Sequence, residues 1–199
     1  MSSPCYGPRF DEALQLAAEA FRGSRRKGSD VPYIAHLLWV AATVADHGGD
    51  EELIIAALLH DYLEDIRGAS AADLADRFGP RVADLVVHLS DSTAQPRPPW
   101  RERKERYLAQ LPSAPAEVKL VSAADKLHNV SCCVRDYRQV GEALWGRFRG
   151  GREGTLWYFR QVHLALAMGW AHTLVDELGA RVHELHQLTG AASPPSVTS

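Results

Sequence analysis

Residues 56–65 of this 199-residue chain read Ala-Ala-Leu-Leu-His-Asp-Tyr-Leu-Glu-Asp. A run of small and aliphatic residues ends abruptly in a histidine and three carboxylates. Acidic groups cannot be carried into a core unless they are paired or hold a cation. The fold must therefore bring the end of a buried helix either to solvent or to a metal ion. His60 and Asp61 are adjacent and can reach one ion from that helix end, and Glu64 and Asp65 follow one turn later on overlapping faces. Two carboxylates at a helix C-terminus oppose its dipole, which makes a purely solvated role for Glu64 and Asp65 less comfortable.

Two other apolar segments carry ligands of the same kind. His36 lies in Pro32-Tyr33-Ile34-Ala35-His36, and Asp125 lies in Ala123-Ala124-Asp125-Lys126-Leu127-His128-Asn129. Two imidazoles and two carboxylates suit an octahedral site with positions left for water and substrate. The expected metal ligands are thus His36, His60, Asp61 and Asp125. Ligand chemistry leaves the metal open, since imidazole suits iron or zinc and carboxylate suits manganese or magnesium. Asn129 follows Asp125 by four residues and shares its helix face.

Helical periodicity dominates the rest, with no convincing alternating strand. The expectation is an all-α fold, a bundle of about eight to ten helices. Asp50 is a good N-cap, Ser70 with Asp73 resembles a capping box, and Pro80 suits a first helical position after Gly79. Residues 91–99 read as a proline-rich loop, and a basic helix follows from Trp100 to about Leu111. Ser113 is expected to cap the helix that carries Asp125. The stretch between Gly141 and Gly150-Gly151 reads as irregular, and Thr155 to Leu178 as one long helix ended by Gly179. Residues 1–190 are expected to form a single domain, and the Ser/Pro-rich tail 191–199 to be disordered.

Composition narrows the class of function. Hydrophobic content of 46% and charged content of 24% are ordinary for a globular protein, and a formal charge of −3 gives no bulk attraction to nucleic acid. Three cysteines, two of them adjacent, make no disulfide framework and no CxxC pair. A reduced, cytoplasmic setting fits. There is no signal-peptide pattern and no apolar stretch long enough for a membrane span.

The order H…HD…D, together with Arg25-Arg26-Lys27, Phe78-Gly79 and Ala124-Asp125-Lys126-Leu127-His128-Asn129, resembles the hydrolase domain of the RelA/SpoT enzymes. That domain belongs to the HD superfamily of metal-dependent phosphohydrolases, and its stand-alone versions are small alarmone hydrolases. The resemblance covers roughly residues 10–180. It implies manganese at the four ligands, with Glu64 and Asp65 preparing the water that attacks a 3′-pyrophosphate. It also implies nucleotide contacts from Arg26, Lys27, Asn129 and Tyr158. The substrate so implied is a purine nucleotide, (p)ppGpp, hydrolysed without any synthetase activity. The same fold and metal acting on (p)ppApp or on the 2′-phosphate of NADPH stays open, as does a non-catalytic nucleotide-binding HD module. The aromatic-rich long helix could supply a homo-oligomer interface. The chain departs from the family pattern at Leu37, where proline is usual, at Tyr62, where threonine is common, and in the 90–99 loop.

Overall fold

The structure, a computed structural model, describes residues 6–92, 94 and 96–191. Contacts group the chain into two compact units, Met1–Arg97 and Pro98–Ser199. Among the described residues all regular structure is helical, with one isolated bridge between Arg25 and Pro32.

The first unit holds α1 (Pro8–Ala20), α2 (Ile34–Asp46), α3 (Glu51–Leu59), the one-turn α4 (Tyr62–Asp65), α5 (Ala71–Phe78) and α6 (Pro80–Leu89). Its centre is α3, which packs on α1, α2 and α6. Every residue from Leu53 to Leu59 is buried. Burying each large aliphatic side chain stabilises by roughly 1.5–3 kcal/mol, so α3 firmly anchors the His60-Asp61 pair at its end. The Asp50 carboxylate caps α3 by accepting from the Leu53 N–H at 2.9 Å, and Ser70 Oγ caps α5 by accepting from the Asp73 N–H at 3.1 Å. Gly79 ends α5 at φ +94°, a conformation closed to most side chains, and Pro80 then opens α6. The expected core stripe of α6, Val82, Leu85, Val86 and Leu89, is buried.

One detail differs from the continuous helix end read from the sequence. The central helix stops at Leu59, His60 is its C-cap, and Asp61 is the N-cap of the new turn α4. Glu64 and Asp65 therefore lie on a separate four-residue turn rather than at the C-terminus of the buried helix, and the expected conflict with that helix's dipole does not arise.

The second unit holds α7 (Trp100–Gln110), a 3-10 turn (Leu111–Ser113), α8 (Ala116–Val140), a second 3-10 segment (Gly141–Arg147), α9 (Gly151–Ala167) and α10 (Thr173–Leu188). The helices α9 and α10 both pack on α8. Three expectations are corrected here. Ser113 does not cap α8; its hydroxyl donates to the Gln110 carbonyl, and Pro115 takes the N-cap. The stretch after Gly141 is a regular 3-10 helix rather than irregular. The single helix from Thr155 to Leu178 is two helices, separated at residues 168–172 where Gly169 adopts φ +68°. Gly179 ends nothing: it lies inside α10, where an added Cβ would come 2.6 Å from the His163 ring of α9. That glycine serves close helix approach. Of the tail 191–199, only Ala191 lies among the described residues.

Candidate functional site

In the first unit, three side chains converge on one carboxylate oxygen. His36 sits in the first turn of α2 and His60 at the end of α3, both buried. Their rings meet edge to face with centroids 5.1 Å apart, and a ring nitrogen of each lies within 4.8 Å of the other. His60 Nε2 is 3.0 Å and His36 Nε2 is 3.8 Å from Asp61 Oδ2. The His60 Nδ1–H donates to the Ala57 carbonyl at 2.8 Å, because a carbonyl can only accept. That bond places a proton on Nδ1, so that the neutral ring presents Nε2 as its acceptor, the arrangement a metal-binding imidazole uses.

The same Asp61 oxygen accepts the Tyr33 hydroxyl at 2.6 Å. Tyr33 in turn stacks on Phe21 with centroids 5.2 Å apart, and the Arg26 guanidinium lies 5.6 Å from the centre of its ring. Arg26 thus joins the His36, His60 and Asp61 cluster through one aromatic ring. Two imidazoles and a carboxylate held by these neighbours fit a divalent cation.

Glu64 and Asp65 are governed by a residue that sequence reasoning missed. Arg97 forms ion pairs with Glu64, with Asp65 at 3.7 Å and with Asp91 at 3.5 Å. The Asp91 backbone N–H also donates to Glu64 Oε2 at 3.3 Å. Burial pushes the Asp65 carboxyl above its ordinary range, with Asp61 and Asp91 pushing the same way; Arg97 and Lys27 oppose the rise. Lys27 is therefore close enough to act on Asp65 electrostatically. Tyr33 and Asp91 also escape a reading of the sequence alone. The loop that carries Arg97 has no periodicity to read, whereas Tyr33 stands three residues before His36, a spacing that shares a helix face.

In the second unit, Asp125 is buried on α8 and both its oxygens are engaged. Lys126 pairs with Oδ2 and the Asn129 amide donates to Oδ1. The amide expected at substrate is thus also a support for Asp125. Burial favours a neutral Lys126, but Asp125, Tyr158 and Tyr107 outweigh it and hold the ammonium well above its usual range. Tyr107, raised by its own burial, shares a 2.7 Å hydrogen bond with Ser122 beneath this pair. Tyr158 is buried on α9, with the Lys104 ammonium 4.8 Å and the Lys126 ammonium 6.0 Å from its ring centre. Of the basic run on α7, Arg101 pairs with Glu105 and stacks on Trp157, and Arg106 pairs with Glu102. Those two are tied up on the surface.

A family model described as HD domain matches residues 13–156. A guanosine-3′,5′-bis(diphosphate) 3′-pyrophosphohydrolase of Xenopus tropicalis, MESH1, is 34% identical over 141 residues, 69% of this chain and 74% of that one. The human MESH1 is 33% identical over the same shares. A solved metazoan ortholog of SpoT that hydrolyzes ppGpp is 28% identical, with a TM-score of 0.75 over 96% of this chain and 100% of the other.

Proposed function

The chain belongs to the HD-domain family, and from that premise we propose that it removes the 3′-pyrophosphate of (p)ppGpp, giving GDP or GTP and pyrophosphate. The observation that carries this reading is the convergence of His36, His60 and Tyr33 on one carboxylate oxygen of Asp61. The proposed metal ligands are His36, His60, Asp61 and Asp125, and the proposed cofactor is manganese. Asp125 has lone pairs left after its bonds to Lys126 and Asn129, since a carboxylate offers about four acceptor positions. When bound, the divalent cation supplies positive charge to the phosphoryl oxygens and acidity to the attacking water.

The chain's own residues do the rest. Glu64, with Asp65 beside it, orients the water and takes its proton. The water oxygen bonds to the phosphorus attached at the 3′ position, the bond from that phosphorus to the 3′ oxygen breaks, and the 3′ oxygen takes a proton from solvent to leave as a hydroxyl, while Glu64 returns its proton to solvent. Arg26 and Lys27 bind phosphate, Arg with its planar fork and Lys as a point charge. Tyr158 and Asn129 position the nucleoside. The setting is cytoplasmic, without nucleic acid as a partner, and no helix among the described residues is long and apolar enough to cross a membrane.

The test is product formation from ppGpp, ppApp and NADPH with added manganese, with Asp61→Ala as control. Pyrophosphate released from ppGpp and lost in the variant supports the assignment. Turnover of ppApp or NADPH alone transfers the fold and metal to that substrate. Metal bound with no turnover of any of the three overturns the hydrolase reading in favour of a nucleotide-binding module.

A further inference from the structure

The C-terminal half of α8 and the middle of α10 carry a feature that the hydrolytic reading leaves unused. Ser131, Val134, Arg135, Arg138 and Gln139 of α8, with Arg181 of α10, line an open surface cavity of about 360 Å³. Three guanidiniums, a hydroxyl and an amide face it, beside one apolar wall, and none of the six lining residues is acidic. This is a concentration of positive charge on a chain whose formal charge is −3.

The arginines are held in place without being neutralised. Glu184 spans two of them, with one oxygen 2.6 Å from Arg138 and the other 2.6 Å from Arg181. Asp136 is likewise shared, 3.2 Å from both Arg135 and Arg147. Two carboxylates thus serve four guanidiniums. Each guanidinium has five N–H donors in a rigid fork, so most remain available after these pairs form. The three lining arginines keep more than half of their side-chain surface exposed, at 59%, 59% and 51%.

The cavity lies on another face of α8 from Asp125 and Asn129. At 100° per residue Ser131 points about 160° away from Asn129, and Arg135 lies about 15 Å along the axis from Asp125. We propose that this cavity is an anion site, distinct from the hydrolytic centre, for a small molecule bearing a phosphate or diphosphate group. Arginine forks match phosphate oxygens bidentately. The volume is at the lower end for small-ligand sites, enough for a diphosphate with a small organic portion against Val134.

The experiment is calorimetric titration of the full chain with inorganic pyrophosphate, in chelator and at fixed near-physiological ionic strength. Chelator removes the cation that would draw pyrophosphate to the hydrolytic centre. The native chain and Asp61→Ala are expected to bind alike, and Arg135→Gln/Arg181→Gln at least roughly tenfold more weakly, each lost charged hydrogen bond mattering to that degree. The single Arg181→Gln variant, altered only at an exposed side chain, reads the same loss should the double variant fail to fold. Equal binding by the native chain and the folded arginine variant, or no binding by the native chain at millimolar pyrophosphate, overturns the site. Loss of binding in Asp61→Ala overturns it too, by tracing the signal to the other centre. The outcome does not depend on whether the chain hydrolyses anything.

Discussion

His60 and Asp61 sit only a few residues from Glu64 and Asp65, yet the two pairs are held by different physics. The first pair comes directly after a helix whose last seven residues are all buried, and both members bond to fixed partners, the Ala57 carbonyl and the Tyr33 hydroxyl. The second pair stands on a single turn and is held by ion pairs to Arg97, a residue of an irregular loop. Packing positions the proposed ligands, and electrostatics positions the carboxylates proposed to prepare the water. Changes at the first pair should therefore remove the centre itself, whereas changes at the second should leave it in place and alter its rate.

The largest effect is expected from Asp61→Ala or His60→Ala. Either should abolish both bound metal, measured by elemental analysis, and turnover. Full activity in either variant would end the assignment. Glu64→Gln comes next: it should retain the metal and lose roughly 10²–10⁴ in rate, the range for a lost general base. Loss of metal in that variant would make Glu64 a ligand and erase the contrast between the pairs.

Two supporting residues sharpen the same division. Tyr33→Phe removes the hydroxyl that fixes Asp61. It should weaken metal affinity by about 10–100-fold, as removal of an orienting partner of a ligand does, with most activity restored by excess metal. Arg97→Gln should leave metal affinity unchanged and lower kcat by about tenfold, since it loosens Glu64 and Asp65 together. A drop in metal affinity for the Arg97 variant would mean the loop also shapes the ligand cluster.

Legibility in the sequence divides along the same line. The proposed ligands stand out because the aliphatic run that ends in His60-Asp61 is a local pattern, and His36 and Asp125 lie in apolar segments of the same kind. The buried α3, its Asp50 cap and the α6 stripe are legible for that reason too. Arg97 is not, because its partners Glu64 and Asp65 lie 33 and 32 residues upstream of a loop with no period. Glycine misleads in the second unit. Gly169 turns the chain and Gly179 admits a neighbouring ring, and nothing local distinguishes a glycine chosen for its dihedral angle from one chosen for its missing Cβ. The two-arginine bridge by Glu184 is hidden likewise, since Arg138 and Glu184 are 46 residues apart.

The smallest predicted effect concerns stability, and it separates function from folding at Asp65. Its carboxyl is raised above the ordinary value of 3.8 in the folded, metal-free chain, chiefly by burial and then by Asp61. A raised acid favours the folded state only while protonated. That contribution is full below about pH 4 and is lost as pH climbs through the folded-state value, so at neutral pH the ionised Asp65 works against the fold. Asp65→Asn should therefore raise Tm in chelator at pH 7, by only about 1–2 °C because the side chain is 40% exposed and screened by water. The gain should shrink as pH falls toward 4, while turnover with metal drops at neutral pH. A Tm that falls instead would mean that the pairing with Arg97 outweighs the burial, so that Asp65 supports the fold as well as the chemistry.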